Sequence, residues 1–145
     1  MIEKKLIPKE MMSMQAIRRY LKKHPEEVVE ILNHNPNYVF FRIVDEGPLG
    51  SISVSITAGR SIATDPELFP RGALAFIACK KPIFARDGVI MGWVPFGRYV
   101  LNQDSGGAIR GPGRVDLFWG SGPYSRIAAG HLKHEGELYF LLIKE

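Results

Sequence analysis

The sequence predicts a mostly β fold, built as a closed barrel or sandwich and preceded by a short helical segment. The hydrophobic pattern changes at Pro36, from helical spacing before it to short β-branched and aromatic segments after it. The chain has 145 residues, which fits a single domain, and it includes 15 glycines and 10 prolines. That glycine and proline content favours many turns between short elements.

Two helices are predicted in the first part of the chain. Residues 9–23 carry lysines and arginines on one face and apolar side chains on the other, namely Met11, Met14, Ile17 and Leu21. Pro25 opens a second helix at its first position, where the amide hydrogen that proline lacks is not needed. Residues 33–36 then end that helix.

Seven later segments have the composition of β-strands. Each is rich in β-branched, aromatic or aliphatic residues, and Gly, Pro or Asp separates it from the next. The segments are 38–44, 52–57, 73–79, 89–94, 98–102, 115–119 and 138–143. Several short strands at this spacing favour a barrel or sandwich. We therefore predict a helical segment at residues 1–36 and a β domain at residues 37–145.

Charge and composition exclude several classes of function. The net charge of +4 and the pI of about 9.3 favour anionic partners. Among the crowded N-terminal basic residues only Tyr20 supplies an aromatic ring, so no nucleic-acid stacking platform is predicted. The single cysteine, Cys79, excludes an internal disulfide, and the four histidines lack metal-ligand spacing. We predict no metal and no cofactor. No stretch is apolar enough for a transmembrane helix or a signal peptide.

The segment 103–120 contains the strongest candidate site. Asp104 and Asp116 flank a loop with four glycines, and glycine allows a backbone to approach a ligand closely. The loop lacks the Gly-Lys-Ser/Thr ending of a phosphate-binding P-loop. On spacing alone, aspartates that cap turns are the more common explanation. Asp65 is a third candidate, although Asp-Pro often starts a turn.

Five motifs then occur in order along the chain: NPNYVFFR at 35–42, GPLGS at 47–51, TAGRSIA at 57–63, QDSGGAIRG at 103–111 and RVDLFWG at 114–120. Together they resemble the C-terminal part of the membrane-bound lytic transglycosylase A family. That part contains the 3D domain, named for three aspartates, which here correspond to Asp65, Asp104 and Asp116. The resemblance implies a small double-psi β-barrel.

The resemblance also implies an activity and its residues. The family cleaves the MurNAc–GlcNAc β-1,4 bond of peptidoglycan without water and leaves a 1,6-anhydro-MurNAc end. The match assigns catalysis to Asp116, as acid and then base, with Asp104 in support. The apolar residues around Asp116 are expected to keep its carboxyl dry and protonated. We expect six residues to bind substrate: Asp65, Ser105, Gly106, Gly107, Ala108 and Arg110.

The full family enzyme is longer, with an N-terminal segment that completes the barrel and an inserted β domain that forms the other wall of the groove. We expect neither part in this chain; its helical segment resembles the part returning from the inserted domain. Glycan strands are the expected partner, with no nucleic acid, and the parent is expected in the periplasm or outer membrane, attached through its own N-terminal part. Two alternatives stay open: a non-catalytic peptidoglycan-binding or interaction module and, on charge alone, a nucleic-acid-binding barrel. Oligomeric state has no sequence signal.

Overall fold

The computed structural model describes residues 6–144 and divides the chain into two compact units, Met1–Ile43 and Val44–Glu145. The predicted boundary between residues 36 and 37 stays a prediction. No helix of the described residues is long and apolar enough to cross a membrane.

The first unit is helical, as predicted. A 3-10 turn at Lys9–Met11 precedes α1 (Met14–Lys23), and a second 3-10 turn at Pro25–Glu27 leads into α2 (Val28–Leu32). Helix α1 begins where it does because the Oγ of Ser13 accepts a hydrogen bond from the Ala16 amide at 3.1 Å. Such a cap satisfies one of the amides that have no partner within the helix.

The second unit is built on one mixed sheet of five strands. The strands are β1 (Ser61–Ala63), β2 (Leu74–Phe84), β3 (Ile90–Asp104), β4 (Asp116–Leu117) and β5 (Glu137–Phe140), in the order β4-β1-β3-β2-β5. Strand β1 runs parallel to β3, and the other pairs are antiparallel. This confirms the mostly β class.

The expected closure into a barrel is not seen among residues 6–144, where β4 and β5 are the two edges of an open sheet. Closure would require these edges to pair with each other or with a further strand. Strand β4 has two residues and β5 has four, so each offers few hydrogen bonds for such a pairing.

Several predicted strands differ from the observed ones. Residues 38–44 form no strand, and the side chain of Phe41 is 94% exposed. Residues 52–54 form a turn and bends, with a φ of 60° at Ser53, and Ser55 pairs with Leu49 in an isolated bridge. Both segments have strand-like composition, but a strand also needs a partner, and composition does not supply one. The separate segments 89–94 and 98–102 are one long strand, β3, while helix α3 (Pro123–His131) was not predicted.

The core lies on one face of the sheet and joins the short strands to the long ones. Its buried side chains come from β1, β2, β3 and β4, namely Ile62, Ala75, Ile77, Val100 and Leu117. A buried polar pair stabilises the end of β1, where the hydroxyl of Thr64 donates to Asn102 Oδ1 at 3.0 Å and Asn102 Nδ2 donates to the Pro70 carbonyl at 2.9 Å. The polar groups buried here are therefore hydrogen-bonded, as burial requires.

Candidate active site

Strand β1 brings the two predicted catalytic aspartates to the same level of the sheet. Ala63 pairs with Asp104 on β3 and with Asp116 on β4. Neighbouring strands lie about 4.8 Å apart, which puts the two aspartate Cα atoms about 10 Å apart. The register between β1 and β3 shifts between Ile62 and Ala63, so the pairing sets the level of the two aspartates along the sheet.

Asp104 is held by a segment far away in the sequence. Its Oδ1 accepts a hydrogen bond from the Ser51 amide at 3.0 Å, and its side chain is half-buried. Gly50 lies directly on the backbone carbonyl of Gln103, in a space with no room for a Cβ atom. The GPLGS motif therefore serves to close a tight turn over the end of β3.

Asp116 forms a two-pronged ion pair with Arg114. The Nε and Nη2 atoms of Arg114 donate to its two carboxylate oxygens at 3.0 and 3.1 Å, and Nη1 donates to the Ala108 carbonyl at 2.7 Å. The hydrogen bond and charge of Asp116 raise the pKa of Arg114 above its usual range. A single guanidinium thus connects Asp116 to the glycine-rich loop.

The expected dry environment of Asp116 is wrong for this structure, because its side chain is 48% exposed. Neighbouring residues on a strand point to opposite faces. Leu117 is therefore buried in the core while Asp116 faces outward.

Asp65 lies buried at the base of the loop. Its Oδ2 accepts from the Gly111 amide at 2.7 Å, and its Oδ1 accepts from the Glu67 amide at 3.0 Å and from Arg110 Nη1 at 3.3 Å. The pKa of Asp65 is lowered, chiefly by the hydrogen bonds from the Gly111 and Glu67 amides. Burial opposes this shift, and the hydrogen bond and charge of Arg110 add to it. Its carboxylate therefore joins the turn at residues 65–67 to the end of the loop at Arg110 and Gly111.

The other predicted substrate-binding residues follow one another in this loop. Ser105 and Gly106 are half-buried, while Gly107 and Ala108 are exposed. A turn closes when the Ile109 amide donates to the Gly106 carbonyl at 2.9 Å, and the buried Ile109 side chain anchors it. The loop thus follows Asp104 directly and contacts Arg114, the partner of Asp116, through the Ala108 carbonyl.

A cavity of about 730 Å³ opens beside Asp116. Arg114 and Trp119 line it, together with residues 132–138, which follow α3. The Nε1 of Trp119 is buried and has no hydrogen-bond partner among the described residues. Residues 132–138 were not predicted to contribute to the site, because no local pattern shows that α3 returns this segment to the cavity.

One His–carboxylate group with metal-like spacing occurs among the described residues, in the helical unit. His24, Glu26 and Glu27 place ligand atoms within 4.8 Å of one another. The imidazole of His24 lies 3.5 Å and 3.8 Å from the two carboxylates, and Tyr20 donates to Glu27 at 3.0 Å. These contacts account for the group without an ion.

Comparison with known proteins places this geometry in a family. The sequence model of the 3D domain matches residues 60–142, which include Asp65, Asp104 and Asp116, and the MltA specific insert domain matches residues 1–42. The chain belongs to the membrane-bound lytic murein transglycosylase A family. The second match corrects the expectation that the inserted domain is absent, since residues 1–42 correspond to part of it.

Curated relatives of this transglycosylase family support the assignment over nearly the whole chain. The Vibrio cholerae and Escherichia coli K12 proteins named membrane-bound lytic murein transglycosylase A are 33% and 34% identical over 143 residues. Each match covers 97% of this chain and 38% of the relative. The chain thus spans little more than a third of their length.

Solved structures of the transglycosylase family share the fold. MltA from Neisseria gonorrhoeae has a TM-score of 0.79 at 33% identity, and the match covers 98% of this chain and 35% of the Neisseria chain. The Agrobacterium tumefaciens membrane-bound lytic murein transglycosylase has a TM-score of 0.75 at 37% identity, and the match covers 97% of this chain and 38% of the Agrobacterium chain. E. coli MltA with bound chitohexaose has a TM-score of 0.72 at 31% identity, and the match covers 92% of this chain and 40% of the E. coli chain.

Proposed function

We propose that this chain is part of a lytic transglycosylase that cleaves the MurNAc–GlcNAc β-1,4 bond of peptidoglycan. One observation carries the proposal: Asp104 and Asp116 both pair with Ala63 and lie at the two ends of the glycine-rich loop. The relatives that share this fold are named lytic murein transglycosylases. The Asp116 carboxylate also lines an open cavity, which suits a reaction at a glycosidic bond.

Asp116 is the proposed catalytic residue, with two successive roles. As the acid it gives its proton to the glycosidic oxygen, so the C1–O bond of MurNAc breaks and GlcNAc leaves. The C6 hydroxyl of the same MurNAc then bonds to C1, and its proton passes to the Asp116 carboxylate. The product is 1,6-anhydro-MurNAc, and Asp116 is again protonated. Because the attacking group is part of the substrate, positioning replaces the second carboxylate that hydrolysis needs.

Asp104 is proposed to support this reaction without transferring the proton. The Ser51 amide fixes its orientation, and about 10 Å separates its Cα atom from that of Asp116. At that separation we propose that Asp104 orients a bound sugar and that its charge acts on Asp116 through space. Asp65 is proposed to act through the loop, because its carboxylate accepts a hydrogen bond from the Gly111 amide of that loop.

Glycan strands of peptidoglycan are the proposed partner, and nucleic acid is not. The relative from E. coli binds chitohexaose, an oligomer of the same β-1,4-linked amino sugar backbone. We propose that residues 105–110 and Trp119 contact the sugars here, because residues 105–110 directly follow Asp104 and Trp119 lines the cavity beside Asp116. The parent is proposed to work in the periplasm or at the outer membrane, as the name of its membrane-bound relatives suggests.

A non-catalytic peptidoglycan-binding module is the second candidate. It is favoured by the ion pair between Arg114 and Asp116, in which both carboxylate oxygens already accept hydrogen bonds from the guanidinium. An arginine exposed in a cavity also suits the carboxylates of peptidoglycan.

Substitution of the two aspartates in the longer parent protein separates these candidates. We expect Asp116→Asn to lower turnover of purified murein by about 10²–10⁴-fold, because an amide has no proton to donate in general acid catalysis. Glycan binding and melting temperature are expected to stay near those of the unmodified protein. Asp104→Asn is expected to lower turnover less.

Near-normal turnover in Asp116→Asn would show that the catalytic assignment is wrong. A turn-capping role instead predicts that both variants lose melting temperature and that activity falls only as the fold is lost. Turnover and thermal unfolding are therefore measured on the same preparations.

A further inference from the structure

We infer that a second cavity of the sheet binds the peptide branch that MurNAc carries in peptidoglycan. The inference rests on the proposed function and names a further part of the same substrate. Each branch is a short peptide, joined to the sugar through an amide, that carries carboxylates and the free amine of a diamino acid. A site for such a branch needs room for a peptide, charged groups of both signs and a position next to the glycan.

The second cavity has a volume of about 720 Å³ and lies over the middle of β2 and β3. Phe76, Ala78 and Lys80 are alternate residues of β2 that line it. They share the sheet face away from the core, because Ile77 between them is buried in the core and neighbouring residues on a strand point to opposite faces. The volume lies within the range of about 300–1,000 Å³ that is usual for ligand sites.

Small residues form the floor of the second cavity. Ala78 pairs with Gly97 on β3, so only a methyl group and a glycine lie between the larger side chains of Phe76 and Lys80. A Cβ atom added at Gly97 would lie 3.0 Å from the ring of Phe76, so a side chain there would occupy this space. The floor thus offers an apolar surface on which the methyl groups of a peptide can pack.

Charged side chains of both signs border this floor. Lys80 lies two residues beyond Ala78 on β2, while Glu137 pairs with Ala78 across β5 and Glu135 precedes it, and all three charged residues are exposed. The hydroxyl of Tyr139 donates to Glu137 at 2.8 Å and orients its carboxylate. An ammonium group suits a peptide carboxylate, and the two glutamates suit an amine. A glycan without peptides offers neither charge, and two glutamates disfavour nucleic acid.

The second cavity shares a wall with the cavity beside Asp116. Cys79 and residues 135–137 line both cavities. The wall is thin at its centre, because Gly136 packs so closely on β2 that an added Cβ atom would lie 2.7 Å from the Ala78 carbonyl oxygen. A peptide attached to a glycan in the first cavity can therefore cross this wall into the second. Two adjacent cavities match a substrate that is itself branched.

An NMR titration of the isotope-labelled 145-residue chain tests the inference with three ligands. One is the disaccharide GlcNAc–MurNAc with the tetrapeptide L-alanine, D-glutamate, meso-diaminopimelate and D-alanine. The second is the same compound with its free amine acetylated, and the third carries a methylamide in place of the peptide. We expect both peptide ligands to shift the amide signals of Ala78 and Gly97, whereas the third ligand shifts only the indole signal of Trp119 in the first cavity.

The affinities test the charges. We expect the free amine to give about two- to fivefold tighter binding than the acetylated form, the usual gain from an exposed ion pair. Glu135→Gln combined with Glu137→Gln is expected to remove this preference. Lys80→Gln is expected to weaken both peptide ligands by a similar factor and to keep the preference. Arg86→Gln makes the same change of charge at an exposed residue that lines neither cavity, and it is expected to change neither affinity. Thermal unfolding checks that each variant is folded.

The outcomes separate the inference from the function on which it rests. Equal affinity for the free and acetylated amines, or a preference that survives without both glutamates, overturns the inference alone. Shifts at Trp119 without shifts at Ala78 and Gly97, or equal shifts there from the ligand without a peptide, also overturn it and leave the glycan site standing. Failure of all three ligands to shift any signal contradicts the proposed function as well.

Discussion

At the scale of single residues, Asp65 and the loop above it depend on each other. The carboxylate is buried, and three donors from two segments surround it: the amides of Gly111 and Glu67 and the guanidinium of Arg110. A buried acceptor with this many donors is costly to alter, because the donors that lose their partner stay out of reach of water.

We expect Asp65→Asn to lower the melting temperature at neutral pH, because an amide has one acceptor oxygen where the carboxylate has two. The pKa of Asp65 is lowered in the folded state relative to its unfolded value of about 3.9. Its contribution to stability is therefore present above about pH 4 and is lost as the pH falls through the folded pKa. The difference between variant and unmodified chain should shrink in that acidic range.

Asp87→Asn is the control for this substitution, because its Oδ1 accepts a local hydrogen bond from the Val89 amide at 3.1 Å in an exposed turn. Melting curves from pH 3 to pH 7 check both variants. A pH-independent difference for Asp65→Asn would contradict the proposed role of its charge.

At the scale of elements, sequence patterns predicted the helices and strands whose formation depends on local composition. The helices α1 and α2 follow from apolar periodicity and from Pro25, and the long strands β2 and β3 follow from apolar runs. Strand β1 was missed because three residues are too few to show alternation. The segment 38–44 was predicted as a strand because its composition fits one, although composition carries no information about a partner.

The same limit applies to the candidate site. Asp104 and Asp116 were found from their glycine-rich surroundings and the family resemblance. Their alignment through Ala63 and the contact between Asp104 and Ser51, 53 positions apart, depend on strand register and chain path. The ion pair of Asp116 with Arg114 is local in sequence. However, an arginine two positions before an aspartate does not by itself predict that both carboxylate oxygens accept hydrogen bonds from one guanidinium.

The turn at Gly50 gives a prediction for an element. We expect Gly50→Ala to destabilise the fold by about 1–3 kcal/mol, the usual cost of overpacking, because its Cβ would overlap the Gln103 carbonyl. The displaced turn would also draw the Ser51 amide from Asp104 and weaken glycan binding. Gly92→Ala on β3 is the matched control, since a Cβ there meets nothing within 4 Å. Equal melting temperatures for the two variants would contradict the proposed packing.

At the scale of the whole second unit, both edges of the sheet border one cavity. Asp116 and Leu117 of β4 line it, as do Glu137 and Leu138 of β5. The edges that would have to be joined in a closed barrel are therefore the ones that frame this space. A glycan at Asp116 would meet protein from β4, β5 and the segment after α3, while the chain spans only 38% of its curated relatives.

This geometry leads us to expect weak or no cleavage of murein by the 145-residue chain alone. Contacts far from the reacting bond supply the energy that distorts a substrate towards its transition state, and a long glycan on an open cavity makes fewer of them. Small errors in position can cost about 100-fold in rate, so we expect release of anhydro-muropeptides at least about 100-fold below that of the full-length E. coli relative. Purified sacculi, equal molar amounts of the two proteins and mass spectrometry of the soluble products provide the measurement. The Asp116→Asn chain sets the background, because it retains the cavity but lacks the proposed acid. Rates within a few-fold of the relative would show that the described sheet, loop and cavity are sufficient for catalysis.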